Sequence, residues 1–185
     1  DRSPSRGLGD VYKRQVMDIA RYLKQNNERD YVMFTTGIYS GLRVSDILKL
    51  RVKDVRGKDY IAMREKKTKK EKRFIINKNL KKILEAWTRG KDDLQYLLEN
   101  PATHRPISRQ RAWEVMRNAG EEFGVYNLGT HTMRKTFGYH MYQANHDAVM
   151  LMKLFNHSDI HVTLRYIGVE QDETDQAISK LDFGV

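Results

Sequence analysis

THTMRKTF at residues 130–137 and HDAVMLMKLFNHSDIHVTLRY at 146–166 are the stretches on which the reading turns. Thr130 opens a helix predicted over 131–143, and two shorter helices fit 147–154 and 160–165. Met150, Leu151, Met152, Leu154 and Phe155 read as core rather than as a cofactor site. Set among these packing residues are His131, Arg134, Lys135, His157 and Tyr166.

Working outward, Ser108 caps a helix running to about residue 123. Further upstream, TGIYSGLRVSD at 36–46 ends a helix predicted over 30–40, which Gly41 stops. A third helix begins near Val44, with Ser45 and Asp46 in its first turn and Ile47, Leu48 and Leu50 facing inward. Residues 50–55 read as a connection into a strand. The β-type runs 60–64 and 73–76 flank a lysine-rich turn holding Lys66, Lys67, Lys69, Lys70 and Lys72, so a hairpin is expected. Asn77 can cap a helix over 80–87. Residues 93–98 read as a short helix or loop, and Pro101 and Pro106 mark irregular chain. Val16, Ile19, Ala20 and Leu23 give the first helix one apolar face. A last helix fits 174–181. The expected fold is mainly α with one small antiparallel hairpin, without repeats.

Residues 1–15, DRSPSRGLGDVYKRQ, carry no apolar period. Asp10 to Gln15 is also what GATGTGTATAAGAGACAG encodes, which resembles a transposon end used to fragment DNA for sequencing libraries. The segment is therefore set apart as an adapter remnant or a disordered basic arm, and residues 16–185 as one domain with a tail at 171–185.

Composition narrows the function. Among 185 residues, 34 Lys and Arg stand against 24 Asp and Glu, a net charge of +10, with a pI near 9.7. An excess of this size is the electrostatic footprint of a nucleic-acid binder. The cations are spread along the chain rather than placed beside one apolar helical face, which argues against a membrane anchor. With no cysteine there is neither a disulfide nor a thiolate site. His157 and His161 have metal-pair spacing but lack a third ligand motif, so no metal is expected. A soluble intracellular protein is the expectation.

Breaking a phosphodiester without a metal requires fixed cations for the nonbridging oxygens, a nucleophile, a base, and an acid for the leaving oxygen. The segment 36–46, the lysine hairpin, 131–137, and Asn156-His157-Ser158 followed by Tyr166 resemble the catalytic domain of the tyrosine recombinases, the phage integrase family. The resemblance runs from about residue 16 to 181. It implies that Arg43 and Arg134 bind the scissile phosphate, that His131 moves the proton of the nucleophile, and that His157 hydrogen-bonds the phosphate. Tyr166 would attack to give a 3′-phosphotyrosine and a free 5′-hydroxyl, so that neither ATP nor a metal is consumed. Lys67, followed by Thr68, matches the general acid, although Lys66, Lys69, Lys70 and Lys72 leave the register open. Asp46 would orient the basic groups, and Lys66, Lys69, Lys70 and Lys135 would contact DNA.

The resemblance further implies double-stranded DNA as partner and a homotetramer that exchanges its C-terminal tail, for which Ala177, Ile178, Leu181 and Phe183 offer apolar contacts. Asn156 stands where many relatives carry glycine. Some 27 residues precede Arg43 after the adapter, too few for the DNA-clamping domain of most relatives. The chain thus resembles either short invertases or a piece of a longer integrase. Type IB topoisomerase chemistry and a non-cleaving DNA-binding regulator are the competing readings. Taken singly, the same residues have plainer roles: Tyr166 is one of ten tyrosines, and most arginines are solvated.

Overall fold

The computed structural model describes residues 8–64, 69–126, 128–168, 178–182 and 184. Helix α1 (Leu8–Asn26) is followed by α2 (Glu28–Ser40), α3 (Val44–Ile47) and α4 (Val52–Val55). The hairpin β1 (Tyr60–Arg64) and β2 (Glu71–Ile75) leads into α5 (Lys78–Thr88). Strands β3 (Glu99–Asn100) and β4 (Arg105–Pro106) precede α6 (Arg109–Glu122), α7 (Thr130–Asn145), α8 (Ala148–Phe155) and α9 (Ile160–Ile167).

Short polar side chains start these helices by accepting the backbone N–H groups that a first turn leaves orphaned. Asn27 accepts from Asp30 N at 3.3 Å, Asn77 from Leu80 N at 2.9 Å and Ser108 from Arg111 N at 3.0 Å. Asp147 accepts from Met150 N at 2.8 Å and Asp159 from His161 N at 2.7 Å. Gly41 ends α2 with φ +69°, and the Phe137 ring lies 2.4 Å from where a Cβ would stand. Asn156 ends α8 at φ 59° and ψ 39°. Asparagine is among the few side chains that take this left-handed conformation readily, so the turn survives without glycine.

Several expectations need correction. The first helix begins at Leu8, eight residues before its apolar period. The connection over 50–55 contains α4, whose first turn is closed by Asp54 accepting from Arg51 N at 2.8 Å. The stretch 93–106 is tied by an Arg51–Tyr96 bridge and by the two-residue ladder β3–β4, giving a second small sheet. Its elements are too short to leave a periodic signal. The helix expected over 174–181 falls mostly outside the described residues. Among those that are described, Ile178 and Leu181 are exposed.

The core lies in two clusters. The larger gathers α1 to α6 and the start of α7 around Met33, Phe34, Ile47, Leu80 and Met116. The smaller joins α7, α8 and α9 through Tyr139, Tyr142, Leu151, Phe155 and Ile167. Helix α7 serves both, because Met133 near its start packs into the first cluster and Tyr139 and Tyr142 into the second. In the β1–β2 hairpin, Tyr60 pairs with Ile75 and Met63 with Lys72. Strand alternation turns Ile61, Met63, Lys72 and Phe74 toward the body of the protein.

Candidate active site

The two clusters meet at Arg134. Its side chain is 7 % exposed, and Nη1 donates to the Gly41 carbonyl at 3.1 Å while Nη2 donates to the Phe155 carbonyl at 3.2 Å. Its guanidinium also lies 4.4 Å from the centroid of the Phe155 ring. The planar fork of arginine suits this bridging, since two nitrogens donate in one plane to two helix ends. Burial, and then the charge of Arg43, push its pKa down to about 10. It stays charged near neutrality, but in a place that disfavours the charge until an anion arrives.

Arg134 opens onto a cavity of about 760 Å³ that is also lined by Leu42, Arg43, Asp46, Lys72 and Asn156. Arg43 is the residue just before α3 and is exposed. The structure thus brings together Arg43, Arg134 and Asp46, which lie up to 91 residues apart in the chain.

Tyr166 and His157 form a second group beside this cavity. The Tyr166 ring meets the His157 ring edge-on at 5.4 Å between centroids and the Phe155 ring at 5.6 Å. The ammonium of Lys135 sits 5.4 Å from the Tyr166 centroid. Burial raises the Tyr166 phenol above its ordinary range, while the positive fields of Arg134 and Arg43 pull it back. Burial first, then the same two arginines, lowers the His157 pKa. His157 is therefore a neutral imidazole around pH 7. The Thr163 hydroxyl, fully buried, lies 2.9 Å from His157 Nδ1. If Thr163 donates to Nδ1, the ring's proton is on Nε2, which becomes the donor.

His131 is exposed on the first turn of α7, three residues before Arg134, and is not among the cavity's lining residues. Lys66 and Lys67 lie outside the described residues. Lys69 and Lys70 are exposed just before β2, in the connection between the hairpin strands. Among the described residues no group of His, Asp and Glu side chains could hold a metal ion, and no helix is long and apolar enough to cross a membrane. Sequence reasoning missed Thr163 and the double role of Phe155, which carries both the Arg134 guanidinium and the Tyr166 ring. A buried threonine on an apolar helix gives no signal of its own, and Phe155 reads as plain core.

Comparison with known proteins fits this geometry. "Probable integrase/recombinase YoeC" of Bacillus subtilis is 42% identical over 160 residues, which cover 86% of this chain and 88% of that protein. The crystal structure of XerA recombinase superposes with a TM-score of 0.73 at 17% identity, over 92% of this chain and 63% of that one. The XerH site-specific recombinase bound to palindromic difH substrate in a post-cleavage complex gives 0.66 at 17% identity, over 90% of this chain and 51% of that one. The chain thus spans most of the Bacillus relative but only half to two thirds of the two crystallised recombinases. The sequence pattern described as "Phage integrase family" matches residues 10–173. With the fold, the paired arginines and this match together, the chain belongs to the phage integrase family of tyrosine recombinases.

Proposed function

We propose that this protein cuts and rejoins duplex DNA at specific sites through a covalent 3′-phosphotyrosine on Tyr166. The observation that carries the reading is Arg134, a buried cation held at the floor of a basic cavity, beside a tyrosine that both arginines act upon electrostatically. A partly desolvated guanidinium is costly unless it meets an anion, and a phosphodiester supplies one. Arg43 and Arg134 bind the nonbridging oxygens and neutralise the charge that builds as phosphorus becomes five-coordinate. The Tyr166 oxygen attacks phosphorus and its proton passes to His131. The bond to the 5′-oxygen breaks, and that oxygen takes a proton from a hairpin lysine, with Lys67 the best sequence match. His157, with Nδ1 engaged by Thr163, donates from Nε2 to a nonbridging oxygen.

Rejoining is the same path in reverse with a different 5′-hydroxyl. The phosphoester energy is conserved in the tyrosyl ester, so no ATP is spent and no metal takes part in the steps assigned. Asp46 orients the arginines, and Lys69, Lys70 and Lys135 contact backbone phosphates. Assembly as a tetramer joined by the C-terminal tail belongs to the same proposal, supported by the apolar residues Ile178 and Leu181 that stand exposed there. The XerH neighbour, a site-specific recombinase bound to palindromic difH substrate, supports a duplex DNA site as the substrate.

The test is incubation with nicked half-site duplexes, scoring a protein–DNA adduct that survives denaturant. Wild-type protein should form it and Tyr166→Phe should not. No adduct with any duplex drawn from the flanks of the gene would refute cleavage, and supercoil relaxation without strand exchange would move the assignment to a topoisomerase.

A further inference from the structure

The cavity holds more positive charge than one scissile phosphate can use. Among the described residues, Arg43, Lys49, Arg64, Lys72, Arg109 and Arg134 line it, against Asp46 as the single carboxylate. One phosphodiester brings one negative charge, and the catalytic reading spends Arg43 and Arg134 on it. The surplus cations come from other elements: Lys49 from the turn after α3, Arg64 and Lys72 from the two hairpin strands, and Arg109 from the first residue of α6.

Arg109 stands apart even from its neighbours on α6. Arg111, two residues on, reaches the buried Asp30 at 3.5 Å and Glu114 at 3.9 Å, so its charge is absorbed within the fold. Among the described residues no carboxylate pairs with Arg109, which is exposed to the cavity instead. The volume is also larger than one phosphate needs. A sphere of about 760 Å³ is roughly 11 Å across, while a single strand advances about 3.4 Å of axis per phosphate.

We infer that Arg109 is a DNA-binding residue holding a phosphate next to the scissile one on the same strand, so that the cavity grips a run of backbone rather than a single group. The inference rests on the reading that this cavity receives DNA. Arg109 acts here in binding and registering the strand, while Arg43 and Arg134 face the reacting phosphorus. Lys49, Arg64 and Lys72 complete the positive wall along which that backbone lies.

The experiment measures binding of a 24-base-pair duplex as a function of salt for wild type, Arg109→Ala and Arg21→Ala, alongside the adduct assay. Arg21 is exposed on α1, pairs with Asp18 and is not among the residues lining the cavity. Loss of one phosphate contact should make the slope of log affinity against log salt shallower by about 0.9. Arg109→Ala should show that change with an unaltered thermal melting curve, and Arg21→Ala should keep the wild-type slope. A slope for Arg109→Ala equal to that of wild type, in protein that still forms the Tyr166 adduct, overturns the inference while leaving the recombinase reading intact. A shallower slope with no adduct from wild type on any duplex supports Arg109 as a phosphate contact and removes the catalytic reading instead.

Discussion

Thr163→Val isolates what positions the second histidine. Valine replaces the hydroxyl by a methyl of similar volume at a fully buried site, so packing on α9 is retained. What disappears is the 2.9 Å hydrogen bond to His157 Nδ1. A neutral hydrogen bond is worth about 1 kcal/mol net, and the variant escapes part of that loss by no longer burying a hydroxyl. The expected fall in stability is thus within about 1 kcal/mol. Catalysis feels the full loss of orientation, because the ring is free to turn and to place its proton on either nitrogen. At RT near 0.59 kcal/mol, about 1 kcal/mol of lost preorganisation corresponds to about fivefold slower adduct formation. The pH profile should move as well. In the native protein burial and the two arginines hold the His157 pKa below its usual value, so the neutral form and the stability it contributes persist above pH 6.5 and are lost as pH falls through the lower folded value. With Nδ1 released, the ring takes a proton more readily, and the acid limb of the rate profile shifts to higher pH. Single-turnover rates of Thr163→Val and Thr163→Ser from pH 5 to 8 test this, serine being expected to restore most of the rate. If valine leaves both rate and acid limb unchanged, Thr163 is only a packing residue and His157 needs no such support.

Arg134→Lys keeps the charge but cannot reach the Gly41 and Phe155 carbonyls together, so adduct formation should fall roughly 10²–10³-fold while the protein stays folded, as judged by thermal melts. Gly138→Ala would set a Cβ 2.7 Å from Ile167 and 2.8 Å from the Phe155 ring, and chemical denaturation should show a loss of about 1–3 kcal/mol. Asn156→Gly should melt within about 1 kcal/mol of wild type, whereas Asn156→Val, forced to φ 59°, should lose about 1–2 kcal/mol. The Tyr166 phenol is raised by burial, so its contribution to stability is present below pH 10 and lost as pH rises through the higher folded value. Alkaline unfolding of Tyr166→Phe should therefore be shifted to higher pH than that of wild type.

The site was legible wherever chemistry is written in residue type. Two arginines in distinctive local runs, and a histidine nine residues before Tyr166, stood out as candidates because together they follow the order and spacing of a known family. The helices over 30–40, 108–123 and 131–143 were readable from their end signals, Gly41 closing the first, Ser108 capping the second and Thr130 opening the third. What escaped are features fixed by tertiary contact. Helix α4 has four residues and exists because Asp54 closes its turn and its neighbour Arg51 pairs with Tyr96 across 45 positions. Strands β3 and β4 are two residues each, below any periodicity. Thr163 could not be told from an ordinary helix residue until His157 was seen beside it, nor Arg109 from a solvated cation until the cavity wall was traced.

Arg134 links cohesion to chemistry in a way that constrains how such a site can vary. Its two hydrogen bonds tie the end of α2, which belongs to the larger core, to the end of α8, which belongs to the smaller one. The same guanidinium supplies charge to the cavity and acts on Tyr166. A side chain chosen only to neutralise phosphate could be an exposed lysine on a flexible stem. One chosen only to join two cores would be apolar, since a buried cation is a poor source of stability. Arginine meets both demands because part of its fork can be spent on backbone carbonyls while its charge still projects into the cavity. The smaller core, with Phe155, His157 and Tyr166 in tilted and edge-to-face contact, is then tied to the end of α2 beside Arg43 by the residue proposed to bind the scissile phosphate. Displacement of α8 and α9 relative to α2 would break the Arg134 bridge and move Tyr166 away from Arg43 together. The position of Tyr166, the proposed nucleophile, is thus coupled to the integrity of the fold at one residue.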